Sequence, residues 1–209
     1  MILSSEKWLD YSSRWYILEP VITNSTLMII GTKTLLEMIN KGELITGLCE
    51  RDLKNPEGAG FDLRLGEIYE LSDEEGFLGE TERKTPEARL VAKYEEGKSI
   101  TFTMEPNKYY LVKTIEELKT PADIVPFLNP RSTLQRSGVR LFLVPIVAPG
   151  YNGGLTFGIM NLRNVPFKIE LGARIAHVVF LGMEGEVHSA YRGQWQGGRV
   201  FTETKETQV

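Results

Sequence analysis

The run Arg131-Ser132-Thr133-Leu134-Gln135-Arg136-Ser137-Gly138 holds the side chains best suited to chemistry in this 209-residue chain. Arg131 and Arg136 each offer a rigid fork of donors that matches phosphate oxygens two at a time. Ser132 and Thr133 add hydroxyl donors, and backbone N–H groups at a turn into a helix add more. A helix starting at Leu134 and ending at Gly138 would hold these groups together. Taken alone, the same run also describes a capped surface helix with solvated arginines. Twelve residues on comes Gly150-Tyr151-Asn152-Gly153, an aromatic residue set among turn glycines.

Other polar residues carry less. His177 lies in Ala173-Arg174-Ile175-Ala176-His177-Val178-Val179-Phe180, a buried-strand pattern, and reads as a structural histidine. His188 reads as a surface residue. Cys49 is the only cysteine, and nothing near it in sequence would activate a thiol. Glu74-Glu75 and Glu95-Glu96 read as solvated charges.

Composition narrows the function classes. Apolar residues make up 42% and charged residues 25%, as in an ordinary globular domain with a substantial core. The net charge of -4 argues against a nucleic-acid coat or a polybasic membrane surface. It leaves room for a small anion held by a local arginine cluster. One cysteine and two histidines exclude an internal disulfide and a multi-cysteine metal site, and argue against structural zinc. No run of about 18 apolar residues is present to span a membrane. Glu6 and Asp10 are wrong for a secretory leader. A reducing, cytoplasmic setting fits.

The elements that must position these residues are mostly strands. Residues 5–16 have helical spacing of Trp8, Leu9, Tyr11 and Trp15, stopped by Pro20. The spacing predicts a second helix over 32–41, with Leu35, Leu36 and Ile39 on one face, a Thr34–Glu37 capping box and a stop at Gly42. Met1-Ile2-Leu3 matches Met28-Ile29-Ile30 at an offset of 27. The 1–27 extension is thus either a duplicate of the 28–48 unit or a chance likeness of two amphipathic helices. Trp8 and Trp15 either bury this extension or form a partner-binding face. From Gly60 the pattern turns to short β runs. Strands are expected at 61–69, 99–104, 109–113, 141–147, 155–161, 165–170 and 174–181. Residues 71–98 read as exposed hairpins or loop, 114–118 as a turn of helix, and 201–209 as a flexible tail. Many short strands with Gly and Pro turns give an all-β barrel or sandwich with a few short helices.

Five segments in order are similar to motifs of the dCTP deaminase/dUTPase family, covering roughly residues 58–200. Gly58-Ala59-Gly60-Phe61-Asp62-Leu63-Arg64-Leu65-Gly66 resembles its first motif, and Leu118-Lys119-Thr120-Pro121-Ala122-Asp123-Ile124 its "L-P-D/A-D" strand. The Arg131–Gly138 run resembles "RSSLARxG". Val147-Ala148-Pro149-Gly150-Tyr151-Asn152-Gly153-Gly154-Leu155-Thr156 resembles the hairpin that reads base and sugar. Tyr191-Arg192-Gly193-Gln194-Trp195-Gln196-Gly197 resembles the segment that closes over nucleotide. The resemblance implies a distorted jelly-roll barrel for residues 28–200, a homotrimer with sites between subunits, a pyrimidine deoxyribonucleoside triphosphate as ligand and Mg²⁺ carried on the triphosphate. It implies phosphate contacts from Arg131, Ser132, Thr133, Arg136, Gln194 and Gln196. It implies sugar and base contacts from Val147, Tyr151, Thr156 and Tyr191, a tail-packing role for Trp195, and an acidic role for Asp62. No nucleic acid, membrane or protein-held metal is expected.

Two positions depart from the family. Deaminating members carry Glu after the hairpin to shuttle protons, where this chain has Gly158. Members that hydrolyse dUTP carry an Asp in the hairpin to orient water, where this chain has Ala148. Loss of a positioned acid or base costs roughly 10²–10⁴ in rate. The position of a C-terminal Lys is Gln194. Retention of Tyr151 without a Glu at 158 points first to hydrolysis of dUTP to dUMP and pyrophosphate, with Asp62 as the candidate substitute carboxylate. The alternatives are dCTP deamination and a catalytically silent nucleotide-binding or regulatory member.

Overall fold

The computed structural model describes residues 28–185 and 187–208. The extension 1–27, its possible duplication and its tryptophans lie outside the described residues. Among the described residues fourteen strands and three short helices follow one another. They are β1 (Met28–Ile29), α1 (Thr32–Asn40), β2 (Leu44–Thr46), α2 (Glu50–Lys54), β3 (Gly60–Leu71), β4 (Phe77–Leu78), β5 (Glu82–Lys84), β6 (Ala88–Lys93) and β7 (Thr101–Met104). Then come β8 (Tyr109–Lys119), β9 (Ile124–Pro130), α3 (Ser132–Arg136), β10 (Val139–Phe142), β11 (Asn152–Asn161), β12 (Phe167–Glu170), β13 (Arg174–Gly182) and β14 (Glu206–Thr207).

One curled antiparallel sheet carries the fold, in the order β1-β13-β3-β8-β11-β10, with β2 on β8, β6 on β3 and β9 on β13. The all-β expectation holds. Its spine is β8, where Tyr110, Val112, Thr114, Glu116 and Leu118 alternate inward. The predicted helix at 114–118 is therefore strand. Glu116-Glu117-Leu118-Lys119 reads as helix former in isolation, and the acidic Glu116 hides the period of two. That carboxylate is buried against Arg64, accepting from its backbone N–H and from Nε at 2.6 Å. Burial raises the Glu116 carboxyl, and the Arg64 hydrogen bonds and charge only partly offset it.

The sheet bends where β8 and β11 slip register between Gly154 and Thr156. Thr114 stitches this bulge. Its hydroxyl accepts from Leu155 N–H at 2.9 Å and donates to Glu116 O at 2.7 Å. Inside the curl Phe61 meets Phe180 edge-on at 6.4 Å, and Tyr110 meets Phe102 at 5.3 Å. Helix α1 plugs one end with Leu35. Its N-cap is Gly31 without a side-chain bond, so the predicted Thr34–Glu37 box does not form; the stop beside Gly42 does.

Two further expectations change. The 141–147 strand ends at Phe142, and the chain then runs beside β9 through Leu128 N–H to Pro145 O and Val147 N–H to Pro126 O. Pro145 has no N–H for a ladder. The expected flexible tail ends in β14, which joins β5 and β4 in a small sheet. The loose region at 71–98 contains β4, β5 and β6 and supplies the tail's partner.

Candidate functional site

The residues singled out from sequence that line a cavity fall into two groups, in separate cavities. The first gathers on Asp62, where β3 faces β13 in register with His177. Asp62 is buried at 3% exposure, and four basic side chains hold it. Arg131 Nη1 donates to Oδ1 at 2.8 Å, and His177 Nδ1 lies 2.9 Å from the same oxygen. Arg174 Nη1 and Arg51 Nη2 donate to Oδ2 at 3.0 and 3.3 Å. Burial alone would raise the Asp62 carboxyl; the His177 hydrogen bond and the Arg131, His177 and Arg174 charges outweigh it and hold it below its ordinary value.

This changes the role expected for Asp62. A carboxylate with both oxygens engaged and a lowered pKa is a poor acceptor of a proton from water. Its work here is to hold three guanidinium groups, of which those of Arg51 and Arg131 line a cleft of about 240 Å³ together with Asp52, Glu57 and His177. The His177 ring, a quarter exposed on β13, is engaged by Asp62. Arg51 and Arg174 were not singled out. An arginine at the first residue of β13, whose register partner is Arg64, carries no local signal, and Arg51 on α2 meets Asp62 on β3 only through the tertiary fold. Of the other phosphate candidates, Ser132, Thr133 and Arg136 stand exposed along the five-residue α3, and Gly138 closes it with a φ of 73°.

Among the described residues no cluster of three or more His, Cys, Asp or Glu side chains could hold a metal ion. With Asp62 engaged by cations, the described residues do not fit a resident Mg²⁺.

The second group surrounds the hairpin Val147–Thr156. A largely apolar cavity of about 500 Å³ is lined by Leu111, Val147, Tyr151, Thr156, Tyr191 and Trp195, among others. That size suits a nucleoside. Tyr151 is buried, donates to Gly154 O at 2.6 Å and packs edge-on to Tyr191 at 5.6 Å. Burial, then Tyr191 and Glu117, push its phenol up to about 12, so it is a donor at neutral pH. Thr156 Oγ1 is buried without a hydrogen-bond partner among the described residues. An orphan polar atom beside a cavity is where a ligand group fits. Ala148 is exposed at the rim and offers no polar atom beyond its backbone.

The C-terminal segment lies against this hairpin within one chain. Tyr191 N–H donates to Pro149 O, and Gly197 N–H to Asn152 O at 2.7 Å. Gln196 uses its whole amide on the hairpin, accepting from Asn152 N–H at 2.9 Å and donating to Gly150 O at 3.0 Å. The phosphate role expected of Gln196 is thereby displaced in this conformation. Gln194 is half-buried on the same segment. Close approach explains Gly153, whose φ is 132° and where a Cβ would stand 2.5 Å from the Gly197 carbonyl carbon. Trp195 lines the cavity rather than only packing the tail.

At Gly158 the missing carboxylate has a physical counterpart. A Cβ there would collide with the Tyr109 hydroxyl and lie 2.7 Å from Cζ. The space a side chain at 158 would enter is filled by the Tyr109 ring.

The dCTP deaminase-like family matches residues 29–183. The dCTP deaminase of Pyrococcus furiosus is 32% identical over 159 residues, 76% of this chain and 88% of that protein. The dUMP-forming dCTP deaminase of a Sulfurihydrogenibium species is 31% identical over 180 residues, 85% of this chain and 97% of that protein. The 2'-deoxycytidine 5'-triphosphate deaminase structure from Agrobacterium tumefaciens aligns at a TM-score of 0.58 and 19% identity, covering 75% of this chain and 49% of that one, and supports the fold alone. By the extent of these matches and the order of its motifs, the chain belongs to the dCTP deaminase-like family.

Proposed function

We propose that the chain binds a pyrimidine deoxyribonucleoside triphosphate, with dCTP the first to try, and does not deaminate it. The observation that carries this is position 158, where a glycine lies under the Tyr109 phenol and leaves no space for an acid–base side chain. Tyr151, the orphan Thr156 hydroxyl and the apolar cavity support a site for sugar and base. The arginines gathered by Asp62, with Ser132 and Thr133 beside them, support a triphosphate site. The two groups line different cavities of one chain. A homotrimer that places one copy's arginines beside another's hairpin would complete the site. Mg²⁺ is expected to travel on the triphosphate; among the described residues no carboxylate cluster would hold it. The setting that fits is cytoplasmic; no helix among the described residues is long and apolar enough to cross a membrane.

A second reading, dCTP deamination, is favoured by the names and identities of the relatives. It needs a proton carrier other than residue 158. The dUTP-hydrolase reading loses ground, because Ala148 offers no carboxylate and Asp62 is engaged by arginines. Purified protein with Mg²⁺ separates the three. We expect dCTP to raise the melting temperature, with no ammonia released from dCTP and no pyrophosphate from dUTP over hours. Ammonia would establish the deaminase, and pyrophosphate the hydrolase. Absence of any thermal shift would remove the nucleotide reading.

A further inference from the structure

On one face of β11, Thr156, Gly158 and Met160 stand opposite Lys113, Leu111 and Tyr109 of β8. Thr156 and Leu111 line the apolar cavity. Gly158, paired with Leu111 and two residues from Thr156, is the neighbour of both on this face, next to the cavity lining rather than part of it. Tyr109 leans diagonally across this face and covers the glycine. Phe142, the β10 partner of Gly158, braces the ring at 5.9 Å between centroids, and Arg140 stands 5.2 Å from the centre of Phe142. The phenol is thus fixed in the volume that a side chain at 158 would fill. It keeps 39% exposure, so it is not sealed into the core.

We propose that Tyr109 is a ligand-reading residue: in place of a side chain from 158, its hydroxyl contacts the ring of the bound pyrimidine nucleotide. This rests on the nucleotide-binding reading above. A phenol hydroxyl both donates and accepts, so it can pair with a ring carbonyl or a ring amino group. Burial raises the Tyr109 phenol above its ordinary value, which keeps the proton on at neutral pH. Such a group recognises an edge but is not a carboxylate base for water. The residue would define selectivity where other arrangements of the rim could define chemistry.

Ring packing on Phe142 needs the aromatic ring but not the hydroxyl, so the test removes the hydroxyl alone. Wild type and Tyr109→Phe are titrated calorimetrically with dCTP and with inorganic tripolyphosphate, each with Mg²⁺. Loss of one hydrogen bond predicts dCTP binding weaker by about 2- to 10-fold, with tripolyphosphate binding unchanged. Equal dCTP affinity in the two proteins overturns the proposal and leaves nucleotide binding intact. Equal loss for both ligands also overturns it, because the effect is then not confined to the ring. If wild type binds neither ligand, the nucleotide reading falls and the proposal falls with it.

Discussion

At Asp62 one buried carboxylate opposes three guanidinium groups and an imidazole. Replacing it with Asn keeps the shape and removes the charge that gathers them. Breaking a buried charge network costs about 3–5 kcal/mol, but Arg51, Arg131 and Arg174 are 34–41% exposed and screened. A loss of about 1–3 kcal/mol in urea unfolding is therefore expected for Asp62→Asn. The pH dependence has a definite sign. The folded pKa is held below the ordinary 3.8, so this stabilisation is present above that value and is lost as pH falls through the lowered one. The gap in stability between wild type and Asp62→Asn should narrow in acid; a constant gap from pH 7 to pH 2 would contradict the ion network. Gly158→Glu meets the Tyr109 ring and should destabilise by about 1–3 kcal/mol from overpacking. Combined with Tyr109→Ala, the loss should be smaller than the sum of the single losses by at least about 0.5 kcal/mol in a double-mutant cycle.

Among the elements, the C-terminal segment depends on partners distant in sequence. Thr202 and Thr85 clasp each other, Thr85 N–H donating to Thr202 Oγ1 at 2.9 Å and Thr202 N–H to Thr85 Oγ1 at 2.8 Å. Thr202 is buried at 2% exposure. Thr202→Val keeps the shape but orphans the Thr85 N–H, at about 1–3 kcal/mol. The cost should be local. Hydrogen exchange at Thr85 and along β14 should quicken, while amides of β8 and β13 keep their protection. Uniform loss of protection would mean that the segment is part of the global folding unit.

For the whole molecule, the surface beside the hairpin is unusually apolar. Val144 and Ile146 are 72% and 54% exposed, and Phe142 and Phe127 stand near them. Patches of this kind mark interaction surfaces. The proposed homotrimer would have about three times the 23.6 kDa mass of the chain by light scattering. Phe127→Asp puts a charge into that surface at a residue that does not line the hairpin cavity. It should lower the assembly state and, with it, abolish the thermal stabilisation by dCTP, because the arginine cleft and the hairpin cavity are separate in one chain. A monomeric variant that still binds dCTP as wild type would show that one chain holds the whole site.

The sequence by itself determined the fold class and the ligand-facing residue types. Short alternating runs with Gly and Pro turns specify strands locally, since side-chain period and turn conformation depend on neighbours in the chain. The motifs likewise place Arg131, Tyr151 and Gly158 in order along the chain. Tertiary structure alone decided what those residues do. Asp62 became an organiser of arginines because α2, β9 and β13 bring Arg51, Arg131 and Arg174 to it from up to 112 positions away. Glu116 became strand because Arg64 neutralises it across the sheet. Gly158 read as an absence in the sequence; in the fold it is space filled by Tyr109, which only the β8–β11 register brings above it. Pairing and burial are long-range, and a local pattern cannot encode which distant charge or ring will arrive.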